Sequence, residues 1–209
     1  MKVSELERLC EVGNDLFARG DAFGATGNLS VRLENEIWIT PTGQPLKGLD
    51  PDRLARIDLQ GEVIGTNRPS KEYPFHLAIY RARSDLRAIV HMHAPHSVAV
   101  SCLAALDPIE PIPAITPYYI MRVSPLTVVP YFRPGSNELA AAVRDAVADH
   151  DCMLLRNHGS ICAGGSIAEA MDRALELEET ARLFLLLRHH DVRHLTSAEV
   201  DELRKSFPR

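Results

Sequence analysis

Ala88-Ile89-Val90-His91-Met92-His93-Ala94 is an aliphatic, β-branched run interrupted by two histidines and ended by Pro95. Such a composition reads as a short buried strand. Side chains two apart on a strand share a face, so His91 and His93 point side by side into what would otherwise be core. Burying two unpaired imidazoles is costly, and a divalent cation is the usual compensation. A plainer arrangement also satisfies the pair: one ring bonds a backbone carbonyl while the other reaches solvent. Further donors decide between them.

Working outward from this strand, Ser70 is expected to open a helix reaching about Arg83, with Pro74 tolerated in its first turn. Glu72 lies in that turn, where a glutamate also suits the helix dipole. After the strand, a helix is expected from Pro95 to about Ala104. The stretch 107–117, with Pro108, Pro111, Pro113 and Pro117, reads as an extended connector, and Val128-Val129 as a strand. Ser136 caps a helix to about Asp149. Cys152 to Leu155 form a strand running into Arg156-Asn157-His158-Gly159, and Ile161-Cys162-Ala163 another. His158 at a strand end beside a glycine is a third candidate donor, since such ends carry functional side chains and glycine permits close approach. Three imidazoles and one carboxylate suit zinc or a similar divalent ion.

Upstream, residues 4–19 read as an amphipathic helix with a Ser4…Glu7 capping box and Gly20 as its stop. Gly24 to Ser30 reads as a loop of small residues feeding a strand near Val31, and Ile37-Trp38-Ile39 as a strand running into Thr40-Pro41-Thr42-Gly43. Residues 55–64 resemble a hairpin around Gln60-Gly61. Downstream, a Ser166…Glu169 capping box starts a long helix to about His190, and Thr196…Glu199 caps a last short one. Strands and helices alternate without a regular βαβ period or a glycine-rich nucleotide fingerprint. The expectation is an α/β (α+β layered) single domain over 1–209, its central sheet mostly antiparallel or mixed and flanked by helices.

Composition narrows the function. The 209 residues are 45% hydrophobic, enough for one substantial core. A formal charge of −5 gives no electrostatic case for nucleic acid or an anionic membrane. Cys10, Cys102, Cys152 and Cys162 form no CxxC and read as buried small hydrophobes in a reducing compartment. The start at Ser4-Glu5-Leu6-Glu7-Arg8 lacks a signal-peptide core, and no apolar run is long enough to span a membrane. A cytoplasmic location is expected. An anion must therefore be met locally, by backbone N–H groups and hydroxyls at Gly27-Asn28-Leu29-Ser30 and Thr42-Gly43, and by Ser70-Lys71.

Taken in order, Gly27-Asn28-x-Ser30, Thr40-Pro41-Thr42-Gly43, Pro69-Ser70-Lys71-Glu72, His91-x-His93 and Asn157-His158-Gly159 resemble the class II aldolase/adducin family, exemplified by L-fuculose-phosphate aldolase. The resemblance spans roughly residues 5–190. It implies that Asn28, Ser30, Thr42, Gly43 and Ser70 hold a substrate phosphate. It implies that His91, His93 and His158 bind zinc, with Glu72 as metal ligand and proton-transfer group. Manganese, cobalt or iron would fit the same donors.

Where the aldolases carry a second serine, this chain has Lys71, a cation suited to an extra negative charge on the substrate. The stretches Thr116–Val123 and Pro130–Gly135 look like the 3-oxo-tetronate 4-phosphate decarboxylase branch. That branch implies loss of carbon dioxide to a metal-stabilised enediolate of dihydroxyacetone phosphate. A sugar-phosphate aldolase, a 4-epimerase and an adducin-like interaction module are the alternatives. The resemblance further implies a homotetramer with sites between subunits, and an acid tyrosine supplied by a neighbour: Tyr119, or else Tyr118. Tyr131 reads as packing, His96 as a residue behind the ligands or at a helix start, and His189, His190 and His194 as surface residues. Arg122 and Arg133 reach an acidic substrate across an interface or pair on the surface.

Overall fold

The computed structural model describes residues 4–208. An eight-stranded sheet with the order β4-β3-β2-β1-β5-β8-β7-β6 lies between two layers of helices. Its strands are β1 (Asn28–Leu33), β2 (Glu36–Ile39), β3 (Ala55–Asp58), β4 (Val63–Ile64), β5 (Ala88–Met92), β6 (Leu126–Val129), β7 (Cys152–Leu155) and β8 (Gly159–Gly164). Every pairing is antiparallel except that of β6 with β7. The strand holding His91 is thus central, flanked by β1 and β8, and all five of its residues are buried. Burial on both faces explains its unbroken apolar run.

The helices are α1 (Glu5–Arg19), α2 (Tyr73–Ala82), α3 (Pro95–Ser101), α4 (Pro117–Arg122), α5 (Asn137–Ala146), α6 (Ile167–Leu187) and α7 (Ser197–Ser206). One face of the sheet packs Phe75 and Ile79 of α2 and Leu139 and Val143 of α5 against Ile89, Met153 and Ile161. The other packs α1, α3, α4 and α6 against Leu29, Val90, Met92, Leu154 and Cys162. Fully burying each such aliphatic side chain contributes about 1.5–3 kcal/mol.

The helix ends follow local chemistry. Ser4 and Glu7 form the full capping box of α1, and Gly20 closes it with φ 81°. Thr196 and Glu199 do the same for α7. At α6 only half of the box forms. Ser166 accepts from Glu169 N, but the Glu169 carboxylate turns to Gly165 N at 2.7 Å and to Arg173 at 2.8 Å. The α6 helix ends at Leu187, short of His190, α5 at Ala146 and α3 at Ser101.

Other expectations are corrected. The helix expected from Ser70 begins at Tyr73, because Ser70 Oγ takes Glu72 N at 3.3 Å and holds a turn ahead of it. Asn28 to Ser30 are already strand, paired to β5 at Asn28↔His91. The proline-rich connector ends in a helix: Thr116 caps α4 by accepting from Tyr119 N, and Pro117 stands at the start, where its missing N–H costs nothing. Cys102 is exposed, whereas Cys10, Cys152 and Cys162 are buried. Tyr131, read as a packing residue, is exposed.

Candidate metal centre

Antiparallel β5 and β8 bring the C-terminal end of one strand beside the start of the other, and so His91 and His93 beside His158. The turn that carries His158 needs Asn157 at φ 55°, a left-handed conformation that asparagine tolerates better than most residues. Gly159 is required for space: a Cβ there would overlap the Met92 carbonyl oxygen and touch the His93 ring at 3.3 Å. On the other side, Glu72 is the cap residue just ahead of α2, and its carboxylate is directed at the three rings.

The donor atoms of Glu72, His91, His93 and His158 lie within 4.8 Å of one another. Among the described residues this is the one such convergence of three or more His, Cys, Asp or Glu side chains. His91 Nε2 is 3.0 Å from His93 Nε2 and 3.3 Å from Glu72 Oε2, while His158 Nε2 is 3.2 Å from Glu72 Oε1. Two ligands about 2.1 Å from a tetrahedral ion stand roughly 3.4 Å apart, so the spacing fits a shared cation.

The donor chemistry fits as well. His91 Nδ1 donates to the Ser160 carbonyl at 2.8 Å, which fixes its tautomer and turns the Nε2 lone pair inward. Glu72 Oε1 is buried and lacks a hydrogen-bond donor. With its proton on Nδ1, a neutral His91 ring sets its Nε2 lone pair against Glu72 Oε2 at 3.3 Å, and a cation removes that conflict. These residues therefore form a site for a divalent metal ion.

The electrostatics point the same way. Burial would raise the Glu72 carboxyl, but positive charge and N–H donation at His91 and His158 would outweigh it and hold the group well below the usual carboxylate range. The pocket thus favours the carboxylate when positive charge is present. Burial, with His91 and His158 close by, pushes His93 down to about 3.

Behind Glu72 lies a buried residue set that includes His76, which sequence reasoning missed. Asn28 Nδ2 donates to Glu72 Oε2 at 2.9 Å, and Asn28 Oδ1 meets His76 Nε2. His76 Nδ1 is 2.7 Å from Ser30 Oγ, which is 2.8 Å from the Tyr80 hydroxyl. Asn28 and Ser30, two of the residues assigned to phosphate, are thus 3% and 0% exposed and occupied elsewhere. Their side chains are turned into the interior, where they bond Glu72, His76 and Tyr80. The available signal was spacing: Glu72, His76 and Tyr80 are four apart on α2, and Asn28 and Ser30 are two apart on β1.

Thr42, Ser70 and Lys71 do share one open cleft of about 460 Å³, with Arg68, another residue the sequence reading passed over. Two backbone bonds join its walls, Ser70 N to Thr40 O and Thr42 N to Arg68 O, both 3.1 Å. Gly43 follows Thr42, exposed and at φ 71°. Gly135 closes against the Lys71 carbonyl, which a Cβ there would approach to 2.7 Å.

Tyr119 is elsewhere. It is 3% exposed and packs with Ile112, Leu126 and Val200 near the starts of β6 and β7, whereas the donors gather beyond the end of β7. Tyr118 is 55% exposed and stacks with Arg122, 5.3 Å from its ring centroid. Arg133 is exposed beside Glu138. His96 sits in the first turn of α3, its Nδ1 and backbone N both held by Glu178 Oε1. His189, His190 and His194 are exposed.

His76 also sets an acid limit on the fold. Burial, with His91 nearby, pushes its ring from an ordinary 6.5 down to about 3. The unfolded chain therefore binds a proton that the folded one refuses. Stability is fully present above about pH 6.5 and is lost as pH falls toward 3. The melting temperature of the metal-free protein is expected to drop steadily between pH 6.5 and 4, measured by circular dichroism. The drop should be shallower in His76→Gln, which cannot titrate.

A mixed sheet with three histidines and a glutamate converging at one end of its central strands defines a metal-site protein of the class II aldolase type. The chain belongs to the family described as Class II Aldolase and Adducin N-terminal domain, whose model matches residues 7–185. It is 42% identical, over 96% of both chains, to a Haemophilus influenzae protein named 3-oxo-tetronate 4-phosphate decarboxylase. The crystal structure of YgbL from Klebsiella pneumoniae superposes with a TM-score of 0.93 at 44% identity, covering 96% of this chain and 97% of that one. An L-fuculose 1-phosphate aldolase structure follows at 0.89 and 27%, covering 100% and 98%. Among the described residues no helix is long and apolar enough to cross a membrane.

Proposed function

We propose that this protein is a zinc-dependent carboxy-lyase that converts 3-oxo-tetronate 4-phosphate to dihydroxyacetone phosphate and carbon dioxide. The observation that carries the reading is the placement of Lys71: a cation on the wall of the open cleft, immediately before the carboxylate of the metal site. Relatives bearing the decarboxylase name, 35–42% identical over most of the chain, support the same choice.

A divalent ion held by Glu72, His91, His93 and His158 supplies a Lewis acid for negative charge developing on substrate oxygens. Thr42, Gly43, Ser70 and Arg68 bind the phosphate. Lys71 orients the substrate carboxylate. As the bond to that carboxylate breaks, its electron pair stays with the carbon skeleton, and the carbon takes up one proton from solvent, handed on by Glu72 or by water near it. Zinc suits three imidazoles and one carboxylate in a tetrahedral arrangement. The second acid comes from another copy in a homotetramer, and the exposed Tyr118 suits that role better than buried Tyr119. The enzyme works in the cytoplasm.

The test offers purified, zinc-loaded protein the oxo-acid phosphate and fuculose 1-phosphate in parallel. Release of carbon dioxide from the first supports the reading; aldehyde release from the second alone overturns it. Lys71→Ser should retain zinc while kcat/KM falls by about 10- to 100-fold, the worth of one charge-assisted hydrogen bond. Unchanged turnover in that variant would remove Lys71 from the mechanism.

A further inference from the structure

The polar chain behind Glu72 has a direction that follows from donor counting. Glu72 Oε2 accepts from Asn28 at 2.9 Å, so the Asn28 NH2 group must face the carboxylate. The opposite amide orientation would set the Asn28 oxygen against an ionised carboxylate. Asn28 Oδ1 then faces His76 Nε2, which must carry the ring proton. A neutral imidazole has one N–H. His76 Nδ1 is therefore the acceptor, and Ser30 Oγ at 2.7 Å must donate to it. The Tyr80 hydroxyl donates to Ser30 Oγ at 2.8 Å, with the Ser30 carbonyl at 3.1 Å beside it, which leaves the Ser30 hydroxyl proton for His76. Each member fixes the next.

All four supporting residues are buried, and none borders the cleft. Their placement is built into two elements. The residues on α2 lie on one helix face, and Asn28 and Ser30 lie on the same side of β1. The ring of Phe75 stacks on His76, centroids 4.5 Å apart, and meets His91 edge-on at 5.3 Å. His76 is thus gripped from the side as well as along the chain of bonds. A buried polar network that is fully satisfied specifies one arrangement, whereas a half-satisfied one does not.

We propose that His76, with Ser30 and Tyr80, is a positioning relay that locks the Asn28 amide and thereby holds Glu72 in the rotamer that completes the metal centre. The relay leaves Glu72 Oε1, the oxygen without a hydrogen-bond donor, as the one free to serve metal or proton. This assignment rests on reading the four donors as a metal centre. His76 itself touches neither metal nor substrate and acts only through Asn28.

The test uses full-length protein and zinc alone. Zinc affinity is measured by chelator competition in wild type, Ser30→Ala, His76→Gln and His76→Leu. Removal of a partner behind a ligand costs roughly 10- to 100-fold in metal affinity, which is the loss expected for His76→Leu. His76→Gln keeps an N–H for Asn28 Oδ1 and should recover to within about threefold of wild type; Ser30→Ala should fall between, at about threefold to tenfold. Nitrogen-15 spectra of the metal-free wild type should show the His76 proton on Nε2. Equal affinity in all four proteins overturns the relay, as does an equal loss in the Gln and Leu variants, which would mark a packing role. A proton found on Nδ1 overturns it too. Should His76→Leu fail to fold, Ser30→Ala at wild-type affinity has the same force. A wild type that binds no zinc refutes the metal centre instead, and the position of the ring proton then decides the relay separately.

Discussion

Replacing His93 by alanine is expected to give a folded protein that no longer holds a metal ion and no longer turns over substrate. His93 follows the end of β5 and is only partly buried, so its removal spares the core that surrounds His91. What it removes is one of the four converging donors, the one whose Nε2 stands 3.0 Å from that of His91. Loss of a group behind a ligand already costs up to about 100-fold in metal affinity, and loss of the ligand itself should exceed that. Lewis-acid stabilisation of several kcal/mol goes with the metal, so turnover should fall by about a thousandfold or more. The checks are metal content per chain after gel filtration, a circular dichroism melt and carbon dioxide release. Crowding of lone pairs is relieved in the variant, so its metal-free form should melt no lower than wild type. Added imidazole should refill the vacated position and restore part of both metal content and activity. A full metal complement in His93→Ala would take His93 out of the ligand set.

The parts of this fold that could be read from sequence are those set by local chemistry. Ser4 and Glu7 satisfy the first N–H groups of α1 whatever packs on it, and Gly20 ends it by its own conformational freedom. The β5 run is legible because a strand buried on both faces has to be apolar throughout. The donors were legible for the complementary reason: histidines in such a run violate the pattern. Partners chosen by tertiary contact were not. Glu169 looks like half of a capping box, yet Arg173 and Gly165 draw its carboxylate away. Asn28 and Ser30 look like anion-binding turn residues, and register with β5 turns them inward instead. The start of α4 was written in Thr116-Pro117, a cap followed by a proline, but the surrounding prolines masked it. Glu178 could not have been found: it sits on α6 more than eighty positions from the α3 N–H groups it accepts from.

Glu72→Gln carries the other large effect, and it should move stability and activity in opposite directions. Glutamine keeps the size of the side chain and the bond from Asn28, since its oxygen can still accept at the Oε2 position. Its amide nitrogen would stand where Oε1 now lies, 3.2 Å from His158 Nε2 and able to donate to it. A buried oxygen without a donor becomes a satisfied group, which is worth about 1–3 kcal/mol. The metal-free variant should therefore melt a few degrees higher than metal-free wild type, at about 2–4 °C per kcal/mol for a chain of this size. Metal affinity falls, because a neutral amide is a poorer donor than a carboxylate. With zinc in excess, kcat should still drop by about 10²- to 10⁴-fold, the usual worth of a positioned proton-transfer group. Scanning calorimetry of the metal-free proteins and turnover at saturating zinc separate the two effects. The paired result has one physical cause: a carboxylate held among neutral ring nitrogens is costly while alone, and that cost is what the ion relieves on binding. If metal-free Glu72→Gln melts lower than wild type, the rings must already neutralise the carboxylate by holding protons, and the case for a cation at this point would lose its strongest support.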